Sequence, residues 1–75
     1  MVKLNILRNQ RNITQSDLAE KMKASQGTVS RLESNDTDPR VSTVRAYVKA
    51  LGGDLELIAR FGGCSYILDV EKEHS

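Results

Sequence analysis

Residues 14–33 read TQSDLAEKMKASQGTVSRLE and predict two short helices joined by a tight turn. Thr14 and Ser25 are both residue types that cap helix N-termini, and each precedes a segment with helical spacing of apolar residues. A break is predicted at Lys23 and Ala24, between the two segments. The apolar positions that would hold the helices together are Leu18, Ala19, Met22, Ala24, Val29 and Leu32.

The segments on either side extend this pair to four helices. Leu4 and Leu7 mark a short first helix before the quoted stretch. After a loop rich in turn-forming residues, a fourth helix is predicted to start at Ser42 or Thr43, and Gly52 supplies a left-handed stop. Its core-facing stripe consists of Val44, Tyr47, Val48 and Leu51.

The apolar period changes from 3.6 to 2 after Gly52, and Gly62-Gly63 predicts a two-residue hairpin turn. Folding the chain there places four pairs on one face, namely Phe61 with Cys64, Ala59 with Tyr66, Leu57 with Leu68 and Leu55 with Val70. The opposite face receives Arg60 with Ser65, Ile58 with Ile67 and Glu56 with Asp69. Since a one-residue slip would mix the two sets, this sorting supports the register, and the eight-residue face is large enough to cover the chain's own helical core.

The predicted fold is mainly α with a C-terminal β-hairpin, in one folded domain. Residues 1–53 form the four-helix part, residues 54–70 form a hairpin used in dimerisation, and residues 71–75 form a polar tail. A domain of 75 residues buries only about 60% of its unfolded surface, so dimerisation would reinforce it.

Charge is divided unevenly along the chain, although the net charge is only +1. Residues 1–53 hold nine Lys and Arg against five Asp and Glu, a net +4, whereas residues 54–75 hold two against five, a net −3. The basic surface therefore concentrates in the four-helix part, where a phosphate-binding face would lie.

The composition argues against several classes of protein. Cys64 and His74 are the single cysteine and the single histidine, which leaves no metal-binding cluster and no positioned catalytic base. We therefore expect no enzymatic activity, no metal and no cofactor. No apolar run approaches the roughly 18 residues of a membrane span and no signal peptide is evident, so we expect a cytoplasmic protein without a membrane partner.

Two short helices joined in this way suit DNA binding, because the second can enter the major groove while the first lies across the backbone. The runs Thr14-Gln15-Ser16-Asp17-Leu18-Ala19 and Ser25-Gln26-Gly27-Thr28-Val29-Ser30-Arg31-Leu32-Glu33 resemble the XRE family of helix-turn-helix proteins, which includes the lambdoid Cro proteins. The resemblance covers residues 4–51. From Pro39 into the first strand, the chain is also similar to small antitoxins of bacterial toxin–antitoxin modules, of the HigA and HipB types.

The resemblance implies roles for individual residues. Base reading falls to Gln26, Gly27, Ser30 and Arg31, where Gln suits adenine, Arg suits guanine and Gly allows close approach. Arg8 and Glu33 match a structural ion pair between the first and third helices. Contacts to DNA phosphates fall to Gln15, Ser25, Thr28, Arg40, Ser42 and Thr43.

Two positions depart from the family pattern, and both usually hold glycine. Lys23 stands in the turn between the helices, where it must accept a positive φ or a different turn. Asn35 stands after the recognition helix, and asparagine tolerates the left-handed region well.

The function implied is sequence-specific transcriptional repression by a homodimer on a double-stranded DNA operator, with a toxin protein as a further partner. The alternatives are an interaction protein that mainly neutralises a toxin, and a helix-turn-helix used only for protein contacts. For dimerisation, Ile58 and Ile67 form a second apolar patch on a hairpin with an unpaired edge. The alternative is that the hairpin packs on its own helices and another surface dimerises.

Overall fold

The computed structural model describes residues 2–69, which form four helices followed by one antiparallel pair of strands. Val70 and the predicted tail 71–75 lie outside the described residues. The predicted fold class is confirmed. The elements are α1 (Leu4–Gln10), α2 (Gln15–Met22), α3 (Gln26–Leu32), α4 (Val41–Ala50), β1 (Leu57–Phe61) and β2 (Cys64–Leu68).

Two helices start at the predicted hydroxyl caps. Thr14 Oγ1 accepts the backbone N–H of Asp17 at 3.0 Å, and Ser25 Oγ accepts that of Thr28 at 3.1 Å. Each cap stabilises its helix by about 1 kcal/mol relative to alanine. Together they fix where α2 and α3 begin.

The predicted start of α4 at Ser42 or Thr43 is wrong. The helix begins at Val41, after an extended Arg40 whose side chain makes no capping bond. The carbonyl oxygen of Arg40 accepts the N–H groups of Thr43 and Val44. The helix therefore starts on backbone bonds alone, and no hydroxyl is needed to set its first turn.

Three helices end in the same way, on a residue with positive φ. Gly52 (φ 95°) follows α4, as predicted. Lys23 (φ 58°) follows α2, which settles its two alternatives in favour of a positive φ, and Asn12 (φ 58°) does the same after α1. In each case the next residue's N–H bonds a carbonyl five residues back, which is the Schellman arrangement.

The end of α3 differs from this pattern. Glu33 follows the helix in a right-handed conformation. Asn35 does not have a positive φ, so the expectation of a left-handed residue there is wrong. Its side-chain oxygen instead accepts a hydrogen bond from Lys3 Nζ at 2.9 Å, which connects this loop to the start of α1.

The core lies among the helices. Leu18, Val29 and Tyr47 are fully buried, and Ala19 is nearly so, which lets α2 approach α3 and α4 closely. Burying each large apolar side chain stabilises the fold by about 1.5–3 kcal/mol. Half-buried side chains packed around this centre are Leu4, Ile13, Met22, Leu32, Ala50 and Leu51.

The hairpin has the predicted register and turn. Leu57 pairs with Leu68, Ile58 with Ile67, and Phe61 with Cys64, around a Gly62 with φ 58°. The predicted pair of Leu55 with Val70 includes a residue outside the described range. Position 62 favours glycine because other residues rarely adopt a φ of this sign.

The expectation that the hairpin's eight-residue face covers the helical core is wrong. Among residues 2–69, no hairpin side chain belongs to the core or packs against it. Phe61 is 67% exposed, and every residue of β2 is exposed. The hairpin follows an irregular segment, residues 53–56, where a bond from Arg45 Nη1 to the Leu55 carbonyl (3.1 Å) ties the chain to α4 before the strands begin.

Candidate nucleic-acid interface

The side of α3 that faces away from the core carries the side chains predicted to read bases. Gln26, Ser30 and Arg31 are exposed, whereas Val29 on the other side of the helix is fully buried. Within residues 2–69, none of these three exposed side chains makes a hydrogen bond or an ion pair. Their polar groups are therefore available to a ligand.

Gly27 lies on the same exposed surface, and the fold itself does not require a glycine there. A Cβ at this position would lie 3.8 Å from Ser25 Oγ, an ordinary van der Waals contact. Glycine inside a helix costs about 1 kcal/mol relative to alanine. No contact within the chain compensates for this loss of helix stability. The absence of a side chain therefore favours the close approach of a ligand to this surface of α3.

A groove of about 440 Å³ runs beside α3, between this helix and the start of α4. Arg31 and Arg40 both line it, and neither guanidinium group has a hydrogen-bond or ion-pair partner in the part of the chain that the structure describes. These two cations outnumber the one carboxylate of the lining, that of Asp38, so the groove favours an anionic ligand. The lining residues are Thr28, Arg31, Leu32, Thr37, Asp38, Pro39, Arg40 and Thr43.

The other predicted phosphate contacts lie around this groove or at helix starts. Thr43 lines the groove, and Ser42 is exposed on the first turn of α4. The hydroxyl groups of Ser25 and Thr28 lie 2.9 Å apart and bond to each other at the start of α3. Gln15 is the first residue of α2 and is half-buried.

Glu33, the residue that follows α3, joins the helices through its carboxylate. Arg8 donates from Nε to Oε2 at 2.6 Å and from Nη2 to Oε1 at 3.1 Å, so the predicted contact between these two residues is present in a two-pronged form. The side chains are only 11% and 7% exposed. Arg8 Nη1 also donates to the carbonyl of Ile13 at 2.9 Å, which fixes the turn between α1 and α2.

Two further groups bind the same carboxylate. Gln15 Nε2 donates to Oε1 at 2.9 Å, and the Tyr47 hydroxyl donates to Oε2 at 2.5 Å. The hydroxyl also lies 3.0 Å from the carbonyl of Leu4. Glu33 therefore connects α1, the first residue of α2 and the buried face of α4.

Burial and hydrogen bonding act in opposite directions on this network. Burial on its own raises the pKa of Glu33, but the bonds from Arg8, Tyr47 and Gln15 outweigh it, so the net pKa lies below its ordinary value. Burial and the bond to Glu33 together raise the pKa of Tyr47. The bond to Glu33 likewise raises the pKa of Arg8. The carboxylate is therefore charged and the phenol neutral at neutral pH.

Sequence reasoning found the pair of Arg8 and Glu33 but missed its two other partners. The missed signal at position 47 was a tyrosine in the core-facing stripe of α4, since a buried tyrosine hydroxyl requires a hydrogen-bond partner. Gln15 was predicted only as a phosphate contact, and the structure gives its amide a partner within the chain.

Residues 2–69 contain no group of three or more His, Cys, Asp or Glu side chains placed to hold a metal ion. Cys64 is exposed in β2. No helix in this range is long and apolar enough to cross a membrane.

Comparison with known proteins gives consistent matches. The helix-turn-helix family model matches residues 4–65. Two proteins of Mycobacterium tuberculosis, both assigned as antitoxins, are similar in sequence. HigA3 is 49% identical over 49 residues, covering 64% of this chain and 45% of HigA3. HigA2 is 36% identical over 67 residues, covering 88% of this chain and 66% of HigA2. The chain therefore spans about half to two thirds of the length of these relatives.

Two solved structures are similar over nearly the whole chain. One is a DNA-bound antitoxin HigA3, with a TM-score of 0.84 and 37% identity over 99% of this chain and 97% of that one. The other is a HigA antitoxin in which a unique dimerization induces DNA bending, with a TM-score of 0.85 and the same identity and coverage.

Proposed function

Since the chain belongs to the helix-turn-helix family, we propose that it is a sequence-specific transcriptional repressor that binds an operator in double-stranded DNA as a homodimer. The observation that carries this proposal is the exposed face of α3, whose three polar side chains have no partners within residues 2–69. A protein of this kind needs no cofactor and no catalysis, and it works where the DNA is, in the cytoplasm.

The base-reading roles go to α3. Arg31 suits the O6 and N7 acceptors of guanine, and Gln26 suits adenine, because each presents two groups in the geometry of one base edge. Ser30 lies on the same exposed surface, and Gly27 lets the helix approach the bases. The alternative of a helix-turn-helix used only for protein contacts leaves these unpartnered groups without a task.

The phosphate-binding roles go to residues around the groove and at helix starts. Arg40 supplies an unpaired positive charge, and the other residues supply neutral donors. Contacts of this kind orient the protein on the duplex without reading its sequence. The proposed set is Gln15, Ser25, Thr28, Arg40, Ser42 and Thr43.

The hairpin is the proposed dimer interface, with residues 1–53 as the DNA-binding part. Ile58 and Ile67 are paired across the strands and are 51% and 67% exposed. One recognition helix reads too few base pairs to specify an operator, and the family's dimers read two half-sites about 34–36 Å apart. An exposed apolar hairpin with a free edge offers a surface on which a second copy can pair.

A second function, neutralisation of a toxin, is favoured by the relatives assigned as antitoxins. It is compatible with repression, since one surface can bind DNA while another binds protein. Co-expression with the product of the adjacent gene tests it. Relief of that product's growth inhibition would support toxin binding, and its retention in an Arg31→Ala variant with weakened operator binding would show that the two functions use separate surfaces.

The test of the DNA-binding proposal uses a duplex that the protein selects from a random-sequence pool. We expect Arg31→Ala to cost about 1–3 kcal/mol on that duplex and to relax the preference at one guanine. Titration of labelled DNA at fixed salt measures both effects. The matched control is Lys21→Ala, which removes an exposed cation of α2 away from the groove.

Two outcomes would contradict the proposal in different ways. Failure to enrich any sequence from the pool would argue against an operator. Equal losses on selected and random DNA would make Arg31 a phosphate contact instead of a base reader.

A further inference from the structure

We propose that Glu33 and Tyr47 are positioning residues for DNA binding, because they hold the amide of Gln15 in the orientation that contacts a phosphate. The inference rests on the proposed DNA-binding function and on the contacts around Glu33. It assigns a role in recognition to two side chains that do not themselves face the DNA.

Gln15 uses only part of its hydrogen-bonding capacity within the chain. Its Nε2 donates to Glu33 Oε1 at 2.9 Å. A glutamine amide carries two N–H donors and a carbonyl acceptor, so one donor remains for an external group. The bond to Glu33 fixes the direction of that remaining donor, since the amide is planar.

The group that holds Gln15 is itself held from two other directions. Arg8 binds both oxygens of the Glu33 carboxylate, and the Tyr47 hydroxyl binds Oε2 at 2.5 Å. Tyr47 is fully buried, so its ring cannot change rotamer without disturbing the core. A rigid path therefore runs from the core through Glu33 to a side chain at the start of α2.

Such an arrangement strengthens binding by reducing the side-chain conformational entropy that is lost on association. A freely rotating glutamine surrenders rotamer freedom when it contacts a phosphate, whereas one already fixed surrenders little. Preorganisation of one such side chain corresponds to a change in affinity of about three- to tenfold. The change applies to every duplex alike, because a phosphate contact carries no sequence information.

The experiment is a double-mutant cycle read out on DNA affinity, with Glu33→Gln, Gln15→Ala and the combination of the two. Each variant is titrated with the duplex selected by wild type and with a random duplex, under conditions where circular dichroism shows it to be folded. We expect Glu33→Gln to weaken both duplexes about three- to tenfold and to have no further effect in the Gln15→Ala background. The salt dependence should stay unchanged, since Gln15 is neutral.

Tyr47→Phe repeats the cycle with a gentler change, because it keeps the ring in the core and removes only the hydroxyl. It serves alone if Glu33→Gln does not fold. Equal losses in the presence and absence of Gln15 would show that Glu33 and Tyr47 act on stability alone and would overturn the proposal, as would affinity unchanged by either variant. If wild type binds no DNA, the proposed function fails first, which is a separate result.

Discussion

The helical part and the hairpin of this chain differ in how far their side chains are buried. In the helical part, Leu18, Val29 and Tyr47 are withdrawn from water entirely. In the hairpin, the backbone is paired in a regular register while β2 is exposed along its whole length. An isolated two-stranded hairpin is marginally stable in water. The first region is therefore stabilised by its own contacts, and the second is where we expect a surface from a second copy to add stability.

The charged groups show the same division. Glu33 is nearly buried and has three hydrogen-bonding partners. Lys49 and Asp54, where the chain leaves α4 for the hairpin, form an ion pair whose side chains are 61% and 82% exposed. The first pair is two-pronged and nearly buried, whereas the second is a single contact screened by solvent, so the two should differ greatly in energy.

The largest expected effect comes from breaking the buried pair. Removing Arg8 or Glu33 alone should lower the free energy of unfolding by about 3–5 kcal/mol, because the remaining charge is left buried without its partner. Removing both should cost less than the sum of the two. Urea unfolding of Arg8→Met, Glu33→Gln and the double variant measures this.

The matched comparison is the exposed pair. Lys49→Met and Asp54→Asn should each change stability by no more than about 1 kcal/mol. Strict additivity of the Arg8 and Glu33 variants, or an equal cost at the exposed pair, would remove the energetic distinction between the two regions.

The next largest effect is expected at the proposed dimer interface of the hairpin. Ile58→Lys combined with Ile67→Lys should give a monomer, and its affinity for the selected duplex should fall by about 100-fold or more, since the two half-sites are no longer read by a linked pair. Truncation after Gly53 should do the same. Sedimentation equilibrium and DNA titration measure the two consequences.

A control with the same added charge separates dimerisation from electrostatics. Val2 and Ile6 are exposed apolar residues of the helical part, so Val2→Lys with Ile6→Lys adds two positive charges outside the hairpin. This variant should remain dimeric. A hairpin variant that sediments as a dimer as tight as wild type would show that another surface holds the two copies.

A smaller effect should appear in the helical part on acidification. The folded pKa of Glu33 lies below its ordinary value of 4.5 because its hydrogen bonds outweigh burial. The stability that these bonds provide is complete above the unfolded pKa and is lost as the pH falls through the lowered one. Between neutral pH and about pH 3, the free energy of unfolding should therefore decrease more in wild type than in Glu33→Gln. Identical pH profiles would mean that Glu33 does not titrate differently in the two states.

The two regions were also predictable to different degrees. The caps at Thr14 and Ser25 and the register around Gly62 follow from local chemistry and were found. Of the predicted stripe of α4, Tyr47 is in the core and Leu51 packs against it, whereas Val44 and Val48 are half-buried outside it. Periodicity sorts side chains into faces, but it does not say what each face touches. The apolar face of the hairpin was therefore assigned to the chain's own core, which it does not cover.

The candidate site was predictable where a residue's role is local to one helix. The exposure of Gln26, Ser30 and Arg31 follows from the position of Val29 on the opposite side of α3. The bonds from Gln15 and Tyr47 to Glu33 join residues 14 to 18 positions apart, so no spacing rule reveals them. The start of α4 was misplaced because backbone groups of Arg40 replace the hydroxyl cap that the sequence offers.

The smallest expected effect tests backbone strain in the two regions. The hairpin turn has glycine at φ 58°, whereas the turn between α2 and α3 holds Lys23 at the same φ. A left-handed conformation costs an ordinary residue roughly 1–2 kcal/mol, and glycine's greater freedom in the unfolded chain offsets part of any gain. Lys23→Gly should therefore stabilise the fold by about 0.5–1 kcal/mol.

Asn12→Gly is the control, because Asn12 has the same φ of 58° but asparagine tolerates it. Its effect should stay within about 0.5 kcal/mol in thermal and urea unfolding. A Lys23→Gly variant less stable than wild type would show that the lysine side chain contributes contacts that outweigh the strain.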